Sequence, residues 1–93
     1  MIICTGKIYL YAEWVSSLKE KRAIVKSIID KVKHKFNVSI AEVENHDKHQ
    51  SIVIGIACVS NSAKHSNNCI QNVIEYIEQN TDAALQNIEI EVL

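Results

Sequence analysis

Along this chain the spacing of apolar residues switches between two and about 3.6 in an order that very few folds can accommodate. Residues 2–13 alternate, with Ile2, Cys4, Gly6, Ile8 and Leu10 on one side and Thr5, Lys7, Tyr9 and Tyr11 on the other, which predicts a strand. Ser17-Leu18-Lys19-Glu20 then has the form of a capping box. The Ser17 hydroxyl would accept from the Glu20 amide, and the Glu20 carboxylate would return to the Ser17 amide. Leu18, Val25, Ile28, Ile29, Val32 and Phe36 follow at helical spacing, and Lys31, Lys33, His34 and Lys35 suit the negative end of the helix dipole before a stop near Asn37. Alternation resumes over residues 38–46 and 52–60, and the short polar stretch 47–51 between them predicts a hairpin. Ser60-Asn61-Ser62 caps a second helix to about Gln79, with Ser66, Cys69, Ile70, Val73, Ile74 and Ile77 inward. Residues 88–92 alternate once more as a last strand.

The resulting order is βαββαβ, the split βαβ or ferredoxin-like arrangement. We therefore expect one α+β domain over residues 1–93, with a four-stranded antiparallel sheet and two helices on one face. With 47% hydrophobic and 23% charged residues and no proline, the composition is that of a globular chain able to bury its own core. The longest stretch without a charged or strongly polar side chain, residues 52–59, falls far short of the ~20 residues of a membrane span. The first residues carry no basic leader before an apolar run, which speaks against a secretory signal. Cys4, Cys58 and Cys69 are odd in number and widely spaced, so a disulfide framework is not expected and a cytoplasmic, reducing location is.

Three stretches carry a resemblance. Residues 17–22 (Ser-Leu-Lys-Glu-Lys-Arg), 36–43 (Phe-Asn-Val-Ser-Ile-Ala-Glu-Val) and 59–61 (Val-Ser-Asn) resemble the YlxP-like family of uncharacterised bacterial proteins, in register along nearly the whole chain. In the loop at 47–50, His49 stands where that family's pattern has Trp, and the bend at 13–16 lacks its Gly or Pro. The resemblance implies a ferredoxin-like fold and carries no established activity. It also implies a link to translation, since genes of the family often lie beside those for translation initiation and ribosome maturation.

Charge is unevenly placed. Residues 1–36 carry a net +5 and residues 37–93 a net −6 within an overall −1. On a helical projection Lys19, Arg22, Lys26 and Lys33 fall within about a sixth of the circumference and span ~21 Å, enough to meet several phosphates. Lys21, Lys31 and Lys35 are expected on the opposite flank, making the exposed arc basic nearly all round. These four residues are the candidate nucleic-acid contacts, with ribosomal or other structured RNA as partner. The plainer alternative is a solvated helix face that favours lysine for solubility and propensity.

The sheet face turned away from the helices should show Tyr9, Tyr11, Val53, Ala57 and Val59 near its centre and Glu42, Glu44, Glu89 and Glu91 on its flanks. The four carboxylates argue against RNA there, and a smooth apolar centre with a charged rim suits a homodimer contact. A second reading follows, in which the domain homodimerises through this face as a protein-interaction or regulatory module and binds no nucleic acid. No catalytic residues, cofactor, small-molecule substrate or metal ligands are expected. His46 and His49 lack a firm third and fourth ligand, and no Cys-x-x-Cys occurs. The loop at 12–16 places Glu13 and Trp14 where the anion cradle of an acylphosphatase on this fold would need open amides.

Overall fold

The computed structural model describes residues 1–93. Its elements are β1 (Ile2–Tyr11), α1 (Leu18–Lys35), β2 (Ser39–Glu44), β3 (Ser51–Ser60), α2 (Ala63–Gln79) and β4 (Ala84–Val92). The strands form one antiparallel sheet in the order β2-β3-β1-β4, with both helices on one face. This is the ferredoxin-like arrangement that the period switches imply.

The alternation of β1 and β3 sorts their residues as expected. Cys4, Ile8 and Leu10 meet Ile52, Ile54, Ile56 and Cys58 under the helices, and α2 adds Ile70, Val73, Ile74 and Ile77. Gly6 is needed because α2 lies directly on it: a Cβ there would stand 2.8 Å from Ile70 Cγ2. Helix α1 contributes Val25, Ile28 and Val32, and Phe36 closes its end edge-on to Tyr76, ring centroids 5.5 Å apart.

Element ends differ from the sequence expectation in instructive ways. Strand β1 stops at Tyr11; the Ala12 amide still donates to the Gln50 carbonyl at 2.9 Å in the β1–β3 register, and the chain then turns, the Val15 amide donating to the Ala12 carbonyl at 3.2 Å. Helix α1 begins as expected, with the Glu20 amide donating to Ser17 Oγ at 3.2 Å. The returning Glu20 carboxylate, however, takes Ser16 rather than Ser17, accepting from its hydroxyl at 2.8 Å. Helix α1 ends at Lys35 with Phe36 as its cap, so Asn37 is already outside it. Strand β4 starts four residues earlier than alternation indicated, since Gln86 is bulged out between the Tyr9–Asn87 and Leu10–Leu85 pairs and masks the period.

Candidate nucleic-acid interface

Lys19, Arg22, Lys26 and Lys33 all stand exposed on α1. Lys26 Nζ bonds Asp30 Oδ2 at 2.7 Å one turn on, and this carboxylate raises the lysine pKa by holding the charged form. Lys19, Arg22 and Lys33 make no ion pair. Three of the four expected cations are therefore free, and the fourth shares an exposed, weakly held carboxylate that solvent and salt readily screen. Lys35 lies on another flank, its ammonium 4.7 Å from the Tyr76 ring centre.

Lys21 is a correction. It is not on an exposed flank but fully buried. Its ammonium donates to the carbonyls of Asn45 (2.6 Å), Lys48 (2.7 Å) and Ser51 (3.0 Å) and lies 2.8 Å from Glu42 Oε2. With the His46 carbonyl at 3.5 Å, five oxygens surround an ammonium that has three N–H donors, a cage that compensates the loss of hydration of a buried cation. Asn45, whose carbonyl makes the shortest of these bonds, takes a left-handed backbone (φ 58°) that asparagine tolerates. The β2–β3 connection is thereby tied to the first turn of α1. Gln50 extends the tie, donating from Nε2 to the Glu13 carbonyl at 2.9 Å and accepting from the Tyr11 hydroxyl at 3.2 Å.

Lys21 could have been found in the sequence. At 100° per residue it falls between Val32 and Ile28, inside the apolar stripe rather than beside it. Its partner Glu42 was misplaced for the same reason. Ile40 faces the helices, so Glu42, two residues on, does too. Glu44 does reach the open face, because the β2–β3 register shifts between Glu42 and Glu44 and sets Glu44 opposite Val53.

The open sheet face is laced rather than bare. Lys7 pairs with Glu44, and the Tyr9 hydroxyl donates to Glu89 at 2.9 Å. Each bond raises the donor's pKa, since the neighbouring carboxylate favours the lysine cation and the protonated phenol. Among the expected contact residues, Val59 is 63% exposed, Tyr11 is exposed, and Tyr9 and Ala57 are part-covered. Val53 is fully buried, which removes it from any contact surface. It lies between Tyr9 and Glu44 in the sheet register, and their longer side chains close over it. What remains is a shallow concavity of about 730 Å³ lined by Thr5, Lys7, Ala41, Val43, Ala57 and Glu89 among others.

The thiols of Cys4, Cys58 and Cys69 are free. Cys4 and Cys58 are register partners on the buried face, and burial, with neighbouring Cys58, pushes Cys69 up to about 11. That is the setting of inert packing thiols. No group of three or more His, Cys, Asp or Glu is placed to hold a metal ion, and the His46 ring rests 3.1 Å from the Glu42 carbonyl oxygen. No helix is long and apolar enough to cross a membrane.

Comparison with known proteins adds identity to this geometry. Two solved structures share the fold over 99% of the chain: a de novo designed protein with ferredoxin fold (TM-score 0.57, 17% identity, 84% of that chain covered) and the de novo designed protein Foldit4 (TM-score 0.52, 13% identity, 94% covered). At those identities the likeness speaks for the fold alone. "Uncharacterized protein YlxP" of Bacillus subtilis (strain 168) is 45% identical over 62 residues, 67% of each chain. The model of the family described as "Protein of unknown function (DUF503)" matches residues 3–90, and the chain belongs to that family, in keeping with its YlxP-like motifs.

Proposed function

We propose that this domain is a non-enzymatic binding module that lays α1 along ribosomal or other structured RNA. The observation that carries the reading is the row of exposed side chains Lys19, Arg22 and Lys33 on α1 with no carboxylate partner, continued by Lys26. The helix that bears them is held on its other side by the Lys21 cage and the Val25–Ile28–Val32 stripe, so the cations are presented from a rigid rod. Contacts of this kind go to phosphates and supply affinity without base readout. Replacing Lys19, Arg22, Lys26 and Lys33 together by Glu should abolish co-sedimentation with ribosomal particles while leaving the thermal midpoint of unfolding in place. Co-sedimentation as strong as that of the natural protein would remove the idea. The free thiols support a reducing, cytoplasmic location.

A second reading is favoured by the open face, where exposed Val43 lines a concavity and exposed Val59 stands further along the same sheet face. Two charged residues of the lining, Lys7 and Glu89, are already engaged by Glu44 and the Tyr9 hydroxyl. There we propose a homodimer contact that leaves α1 free on the far side of each copy. Light scattering at tens of micromolar should return twice the chain mass, and a Val59→Asp variant should return the chain mass. A natural protein that scatters as a single chain would dismiss the contact.

A further inference from the structure

Trp14 stands in the bend between β1 and α1, 49% exposed. It lines a shallow groove of about 280 Å³ with Ala23 and Ser27 of α1 and with Asn80, Thr81 and Asp82 of the α2–β4 connection. That volume lies just under the ~300–1,000 Å³ of pockets for drug-sized ligands, so it suits one ring system rather than a whole cofactor. On α1 the groove residues are bracketed by cations at helical neighbour spacing. Lys19 precedes Ala23 by four, Lys26 follows it by three, and Lys31 follows Ser27 by four. Lys19 and Lys31 make no ion pair.

We propose that this groove receives one unpaired base of a single-stranded RNA segment, stacked on Trp14, while the flanking phosphates run to Lys19 and Lys31; the proposal rests on the RNA reading of α1. Base–aromatic stacking needs an accessible aromatic ring, and a cation within reach of the backbone adds to it. Trp14 is half exposed at the groove, and Lys19 and Lys31 lie one helical turn from the groove residues Ala23 and Ser27. The rim decides which part of a nucleotide enters. The Asp82 carboxylate repels a phosphate but accepts from the exocyclic amine of a base. One N–H of Asn80 Nδ2 donates to the Tyr76 carbonyl at 2.8 Å and fixes the carboxamide, whose oxygen is a second acceptor for a base. The base goes in and its phosphates stay out.

Trp14 is the one tryptophan of the chain, so its fluorescence reports on the groove directly. A mixed-sequence single-stranded RNA oligonucleotide and a duplex of equal length would be titrated into the natural protein, with anisotropy of the labelled RNA followed in parallel. The single strand should quench Trp14 saturably and the duplex should not, although both bind. Trp14→Ala should weaken single-strand binding roughly five- to 150-fold and leave the duplex affinity unchanged, and Trp14→Phe should restore most of the loss. Single-strand binding that leaves Trp14 unquenched, or that survives Trp14→Ala undiminished, overturns the groove proposal and leaves the phosphate reading of α1 standing. No anisotropy change with either RNA overturns both.

Discussion

Lys21 and its neighbours Lys19 and Arg22 stand within four residues of one another, yet the fold puts them to opposite uses. Lys21 is sealed among four carbonyls and a carboxylate, while Lys19 and Arg22 reach solvent with no partner. A run of positive charge is therefore not one feature. One cation fastens the β2–β3 connection to the helix, and the others are what that fastening presents. Two of the three stretches behind the YlxP-like resemblance meet here, because Lys21 of the first is paired with Glu42 of the second.

The contrast can be broken at its buried end first. Lys21→Met should cost about 3–5 kcal/mol, since it strands the Glu42 carboxylate and the inward carbonyls of Asn45, Lys48 and Ser51. For a domain of this size that is a large part of a typical ~5–15 kcal/mol, and denaturant unfolding would show it as a lower midpoint. A midpoint within experimental error of the natural protein would mean the cage does not hold the fold.

Glycines on the two faces of the sheet give a smaller and graded effect. Gly6→Ala pushes a methyl into Ile70 under α2, where neighbours are packed on every side, and should cost about 1–3 kcal/mol. Gly55→Ala meets Val43 Cγ1 at 2.7 Å, but Val43 is 42% exposed and can swing aside, so its cost should fall below that of Gly6→Ala. Equal losses in thermal melts would show that the open face is covered as firmly as the core.

The thiols sharpen the contrast further. With Cys69 held at about 11, against an ordinary 9.0, its thiolate fraction at pH 8 is about a hundredfold below that of a free thiol. Iodoacetamide labelling followed by mass spectrometry should be slowed in proportion. Above the ordinary value the unfolded chain releases this proton while the folded chain keeps it, so stability should fall as pH rises from about 9 to about 11. The smallest expected effect belongs to the exposed cations: Lys19→Gln, Arg22→Gln and Lys33→Gln should each shift stability by less than about 0.5 kcal/mol.

Much of the fold was legible because β1, β3 and both helices obey a single period from end to end. Where a local rule is interrupted, faces and element ends are harder to read. The β2 register shift and the Gln86 bulge in β4 break the period of two, and the tail of β4 hid its own beginning. Within the candidate site, the exposed row on α1 was readable from spacing alone. Lys21 sits at an angular position inside the apolar stripe although its residue type is that of a surface, and no spacing rule foretells that the Asn45 carbonyl will meet its ammonium. Val53 was lost to burial under Tyr9 and Glu44, which depends on side-chain reach across the sheet.

The division of labour within α1 is tested most directly by the salt dependence of RNA binding, followed by anisotropy with labelled ribosomal RNA. With about four phosphates engaged, the logarithm of the association constant should fall against the logarithm of salt concentration with a slope of about −3. In a variant carrying Gln at 19, 22, 26 and 33 the slope should flatten towards zero while the unfolding midpoint stays put. A natural protein with no salt dependence, or a variant that keeps the full slope, would contradict the assignment of those side chains to RNA.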